Sequence, residues 1–409
     1  MWKTILALAL ISCFAVTVAA EDWPQFRGPT GQGHSRETNL PVHWSTNENV
    51  AFKQTIPGQG WSSPIYFSRK LFITTALPDE TGFSLRAMAL DGARGEMLWN
   101  TEVFHEAKDS SRIHSKNTHA SATSIAEGNR LYVHFGHQGT ACLDLDGKVI
   151  WRNNELRYEP VHGNGGSPAL VGDALVFNCD GGRDPFIAAL DKKDGHLLWK
   201  TPRITDARQT FSFSTPLLIT VNDRKELISP GSNMVGGYDP ADGKEIWRVR
   251  YDGYSVVPRP VFGHGLLFVC TGFDRPTVIA IRPEGQSDLT DSNVVWTVKR
   301  SAPNTPSPLL VGDELYLVAD SGTATCLDAR TGTTHWQERI GGNCSASPIY
   351  ADGRIYVQTE DGTGVVLKAG KTFEKLATNP LNERSLASYA IADGALFIRT
   401  AEHLYRIQQ

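Results

Sequence analysis

The chain lacks the features that mark many catalytic and nucleic-acid-binding proteins. No two of its six cysteines are adjacent, and no CysXxxXxxCysHis pattern for haem attachment occurs. There is no GlyXxxSerXxxGly elbow and no phosphate-cradling glycine loop, which leaves hydrolase and nucleotide chemistry without a foothold. No five or six like charges run together and the formal charge is −4, which argues against a nucleic-acid partner. Helical periodicity is absent over any useful length, while 38 glycines and 22 prolines cut the chain into short β-rich runs. No apolar stretch reaches the roughly 20 residues of a membrane-spanning helix.

The longest apolar run, Ile5 to Val18, follows Lys3 and is succeeded by Ala19, Ala20, Glu21 and Asp22. That pattern predicts a secretory signal peptide over residues 1–20, cut near Ala20, ahead of a single domain over 21–409. LeuIleSerCys ending at Cys13 also fits the loose pattern of a lipid-anchored leader. Export would place Cys142, Cys179, Cys270, Cys326 and Cys344 in an oxidising compartment. They are odd in number and most sit in apolar strand contexts of different segments, so they are expected to be buried, unpaired thiols.

What is present is a repeat. An aromatic residue returns at Phe52, Trp99, Trp151, Trp199, Trp247, Trp296, Trp336 and Phe373, separated by 47, 52, 48, 48, 49, 40 and 37 residues. Such periods mean stacked or ring-closed supersecondary units. Pro306 to Gln337 shows the unit: SerProLeuLeuVal, a GlyAsp turn, LeuTyrLeuVal, ThrCysLeuAsp, a turn ending in Gly332, then a strand carrying Trp336. First strands are expected to begin near Ser63, Ser121, Ser167, Thr215, Arg259, Ser307, Ser347 and Ser388. Aspartate and glycine recur in the last turn because one accepts local backbone hydrogen bonds and the other tolerates positive φ. The count predicts an all-β fold, an eight-bladed β-propeller of four-stranded antiparallel blades. The last unit has only three strands, so Val50 to Gln54 is expected to supply the eighth blade's outer strand and close the ring.

AlaLeuAspLysLysAspGlyHisLeuLeuTrp, Ala189 to Trp199, resembles the pyrroloquinoline quinone (PQQ) type propeller repeat. The resemblance covers about residues 40 to 409. TrpProGlnPheArgGlyPro, Trp23 to Pro29, is similar to the opening of secreted bacterial proteins of this kind. One branch of the family comprises PQQ-dependent oxidoreductases that hold PQQ and Ca²⁺ in the channel, usually beneath a disulfide of adjacent cysteines. The other is the outer-membrane assembly lipoprotein BamB, a non-catalytic propeller that binds a protein partner through its loops. The absent cysteine pair and haem motif favour a binding or scaffold module with no cofactor, and leave PQQ-dependent dehydrogenation as the alternative.

Residues just before each inner strand converge on the channel mouth. Those loops contain Gln59, His114, Lys116, Asn117, His162, Asn164, Arg208, Tyr254, Asn304, Asn343 and Arg384, a set suited to a polar or anionic ligand or to a protein partner. The insertion from Thr101 to Ala120 adds His105 and His119, but no tight ligand spacing points to a metal. AspGlyGlyArgAsp, Asp180 to Asp184, is a weak Ca²⁺ candidate without the EF-hand spacing.

Overall fold

The computed structural model describes residues 21–108 and 113–409; the leader expected over residues 1–20, with Cys13, lies outside the described residues. Eight antiparallel sheets follow one another along the chain. Their inner strands are Ile65–Phe67, Ile125–Glu127, Ala169–Val171, Leu217–Val221, Val261–Gly263, Leu309–Val311, Ile349–Ala351 and Ala390–Ala392, which number blades I to VIII. Each blade then runs outward through two longer strands to a fourth. The second blade's inner strand begins at Ile125, so Thr123 occupies the place expected for Ser121. Seven of the inner strands are only three residues long and pass to the next strand through turns such as Gly172 and Gly312, both at positive φ. Middle strands, such as Ala174–Cys179 and Ala395–Arg399, are buried along their whole length because neighbouring blades cover both faces.

Ring closure follows the sequence reading. Val50–Thr55 pairs antiparallel with His403–Ile407, with Lys53 opposite Tyr405 and Gln54 opposite Leu404. Terminal strands far apart in the chain thus share one sheet, which leaves no open blade interior.

The recurrent tryptophans lock each blade to the next. Trp99, Trp151, Trp199, Trp296 and Trp336 donate their indole N–H to the carbonyls of Leu145, Lys192, Pro240, Ala329 and Gly370, each in the last turn of the following blade. The indole also lies where a side chain on the turn glycine would stand: a Cβ on Gly195 would come within 2.5 Å of Trp151, and one on Gly243 within 2.3 Å of Trp199. Phe52 stands in the same relation to Gly95, so the closing strand locks blade VIII to blade I. Trp247 is the exception. The corresponding turn of blade V is replaced by Arg282 to Asn293, from which Ser287–Asp288 adds a parallel fifth strand to blade IV, and Trp247 donates to the buried Glu226 carboxylate instead at 2.6 Å.

Cys142, Cys179, Cys270, Cys326 and Cys344 are buried and unpaired. Burial pushes their thiols above the ordinary range, with Cys142 at about 11, so they pack as small apolar groups. Among the described residues no helix is long and apolar enough to cross a membrane.

Candidate functional site: a channel sealed at one end

The two ends of the channel differ. Residues 21–49 cross one face and tie down six blades. Trp23 exchanges backbone bonds with Tyr66, Pro24 accepts from Ala126, and Gln32 Oε1 accepts from the Phe262 N–H. Arg27 donates to the carbonyls of Pro308 and Pro348, Gly33 accepts from Tyr350, and Glu37 accepts from Asp393 and Gly394. The other end opens into a cavity of about 750 Å³ whose base reaches Phe26 of the crossing segment.

The base is a ring of hydroxyls. Ser63 N–H donates to Thr123 Oγ1 at 3.0 Å, Thr123 to Ser167 at 2.9 Å and Ser167 to Thr215 at 3.0 Å. After a gap, Arg259 donates to Ser307, Ser307 to Ser347, Ser347 to Ser388, and Ser388 back to Ser63. The gap falls at Arg259 because arginine has no Cβ hydroxyl to accept the Thr215 N–H. Its guanidinium turns beneath the ring to the carbonyls of Phe26 and Pro216, both at 2.9 Å.

Above the ring one wall is aromatic. His114, His162, Phe211, Tyr254 and Phe273 form a chain of rings with successive centroid separations of 5.4, 5.3, 5.6 and 5.7 Å, and Phe213 stands 6.0 Å from Phe211. Edge-to-face contacts at these distances hold the rings in place. Phe273 is 53% exposed at the lip. The facing wall is polar, with Asn304, Thr305, Asp320 and Ser345.

A strap spans the mouth. It is the end of the long insertion, residues 113–120, whose His114 meets His162. Lys116 reaches Glu360 of blade VII at 2.7 Å, and Ser115 accepts from Arg384, which also lies over Trp61. Lys116 is partly exposed and Glu360 largely covered, and the strap is also held by the His114 N–H and the Asn117 side chain, which both donate to the His162 carbonyl.

Of the residues expected at the mouth, His114, Lys116, Asn117, His162, Tyr254 and Asn304 line the cavity. Arg208 lines a smaller adjoining cavity with Arg275, Asp252 and Asp274; the two cavities share Gln209, Tyr254 and Phe273. Gln59 bridges to Ala76, Asn164 bonds Tyr158 and Gly166, Asn343 offers its carbonyl to Glu360, and Arg384 braces the strap. Sequence reasoning missed the aromatic wall of Trp61, Phe211, Phe213 and Phe273. Its signal was available, since those residues sit in or beside the loops already singled out.

The donor set does not fit a Ca²⁺-bound quinone. Among the described residues, Asp320 is the carboxylate lining the cavity, and its oxygens already accept from the Asn304 and Thr305 N–H groups and from Thr305 Oγ1. Glu360 is held by Lys116 and Ser345. A Ca²⁺ ion takes six to eight oxygens and has no such cluster here. The Asp180 hairpin offers none either, because Asp180 turns inward to a buried ion pair with Arg203 at 2.7 Å. Two other groups could gather ligand atoms, Asp191 with Asp194 and His196, and Glu383 with Glu402 and His403. In the first, hydrogen bonds within a blade turn account for Asp191 and Asp194, and in the second Glu383 accepts from Thr400 Oγ1, the Glu402 N–H and the His403 ring.

A sequence model of the family described as "Outer membrane protein assembly factor BamB" matches residues 39–201 and 285–404, more than half of the chain. The chain belongs to the BamB family. BamB of Yersinia pestis is 24% identical over 324 residues, 77% of this chain and 67% of that protein. BamB of Shewanella oneidensis is 23% identical over 256 residues, 61% of this chain and about half, 51%, of its own length. The crystal structure of BamB from Moraxella catarrhalis superposes with a TM-score of 0.62 at 12% identity, covering 88% of this chain and 97% of that one. The computationally designed Ika8 protein gives 0.61 at 11% identity, covering 90% and 100%. Such likeness at low identity establishes the fold alone. Phe211, Phe213, Tyr254 and Phe273 all fall in residues 202–284, between the two matched stretches.

Proposed function

We propose that this chain is an exported, non-catalytic binding propeller that holds a protein partner or a polar ligand at the open end of its channel. The observation that carries the reading is the asymmetry of the ring: one face is closed by residues 21–49, while the other gathers an aromatic wall, with Phe273 exposed at its lip, and a strap around a cavity. Rigid aromatic side chains with polar neighbours are the composition of interaction hot spots. The relatives named as outer-membrane assembly factors support a partner in the cell envelope, reached through the leader over residues 1–20, with Cys13 available for a lipid anchor.

The reading is tested by crosslinking in the native envelope from a photoreactive residue at Phe273 and, as a control, at Asp352 on the sealed face. A discrete adduct from Phe273 alone supports it, and loss of that adduct in Tyr254→Ala strengthens it. Equal labelling from both faces refutes it. Membrane fractionation of wild type and Cys13→Ala tests the anchor, whose removal is expected to shift the protein to the soluble fraction.

A further inference from the structure

The hydroxyl ring has used its oxygens as acceptors. Each of Ser63, Thr123, Ser167, Thr215, Ser307, Ser347 and Ser388 receives a backbone N–H from the neighbouring blade, and all seven line the cavity. They are 1–5% exposed. Ser347 passes its proton to Ser307 at 3.0 Å. Among the described residues, the other six O–H groups donate to no acceptor. A hydroxyl carries one proton and two lone pairs, and one lone pair is taken by the neighbouring N–H, so six of the seven keep a proton that they can donate into the cavity.

Below the ring the charge is positive and uncompensated. Arg27 and Arg259 are buried, at 1% and 3% exposure, and their hydrogen-bond partners are main-chain carbonyls. No ion pair to either occurs among the described residues. Burial, with Arg259 close by, lowers Arg27 to about 9, and burial lowers Arg259 to about 10, as expected for cations without a counter-charge. Arg399, between blades VIII and I, is bonded in the same way to Ser62 and Thr74 and lowered to about 9. An anion above the floor would be attracted through a medium of low dielectric, and hydrogen bonds to a charged acceptor are about twice as strong as neutral ones. The carboxylate on the cavity wall, Asp320, stands beside the polar loop of Asn304 and is satisfied there.

We propose that the cavity floor is an oxyanion site for the carboxylate end of a ligand whose apolar body lies against the wall of Phe211, Phe213 and Tyr254. This rests on the open end being the binding end, and it names the chemistry of what enters. The carboxylate could come from a free aromatic acid or from the C-terminus of a peptide chain.

The test uses the full mature protein and ligand-observed NMR at pH 7.5. One arm compares benzoate with benzamide, and the other a short phenylalanine-ended peptide with its C-terminal amide. The acid is expected to bind at least tenfold more tightly than its neutral amide in one arm, which also tells free acid from chain end. Formate, small enough for the floor alone, is expected to displace it. Ser167→Ala combined with Thr215→Val is expected to remove the preference while the aromatic contact persists. Equal affinity of acid and amide in both arms, or binding by none of the four, overturns the proposal whether or not the variant folds. The envelope crosslink from Phe273 is independent of these probes, so failure here leaves the partner-binding reading standing.

Discussion

The blade lock can be tested by adding one carbon in two places. Gly195 has φ +80 and an added Cβ would come 2.5 Å from Cε3 and 2.7 Å from Cδ2 of Trp151, whereas Gly128 has φ +59 and nothing within 4 Å. Alanine in the left-handed region costs about 1–2 kcal/mol at either position. Only at Gly195 must the indole also move, and overpacking of this kind adds about 1–3 kcal/mol. The indole N–H donates to the Lys192 carbonyl at 3.3 Å, and a small shift of the ring that keeps this bond leaves the total unchanged. Gly195→Ala is therefore expected to cost about 2–5 kcal/mol and Gly128→Ala about 1–2 kcal/mol. Urea denaturation followed by far-UV circular dichroism reads both, provided m is unchanged. In a Trp151→Ala background the Gly195→Ala cost should fall to that of Gly128→Ala, a coupling of about 1–3 kcal/mol. Equal costs for the two glycines in the wild-type background would show that the indole does not set the turn, and the interlock would be lost as the reason for the repeat.

Deleting residues 21–56 removes both the closing strand and the segment that seals the channel. Unfolding is expected to become broad and to begin at lower temperature, and a sharp, unshifted calorimetric transition would contradict the closure. His134 is buried, bonded to Thr140 Oγ1 at 2.8 Å, and burial, aided by His137, lowers it to about 3. The unfolded chain then takes up a proton below about pH 6.5 that the folded chain refuses, so stability is intact above that pH and falls by up to about 1.4 kcal/mol per pH unit as pH drops towards 3. His134→Gln should flatten that slope in denaturation midpoints measured from pH 7 to pH 4.5; an unchanged slope would assign acid sensitivity elsewhere. Adding PQQ and Ca²⁺ is expected to produce no quinone absorbance change and no dye reduction with alcohols or sugars, and reproducible reduction would overturn the non-catalytic reading.

Much of the architecture was legible in residue order because propeller blades are local objects. A strand pair, its turn glycine and its tryptophan lie within about 48 residues, and turn chemistry acts over two to four positions. Even the closure from Val50 could be read, since a unit short of one strand needs a partner strand. Six of the eleven residues expected at the mouth line the main cavity, because the position before an inner strand is fixed by the blade. The others turn elsewhere, Asn164 to Tyr158 and Gly166 of its own loop, Arg384 to the strap and Arg208 to the adjoining cavity, and nothing in a one-dimensional pattern shows which way a loop side chain turns.

By itself, then, the sequence determined the blade count, the order of strands and the place where the ring joins, all of which follow from periodicity and local turn propensity. Only the tertiary structure decided what the channel is. Ser63 and Ser388 are adjacent in the hydroxyl ring although 325 positions separate them, and Arg27 lies under blades VI and VII although it precedes every strand. Convergence of that kind exists only after the ring closes. It turned serines that looked like strand starts into a hydroxyl-lined floor, and an opening segment of no evident role into the seal that leaves the other end open.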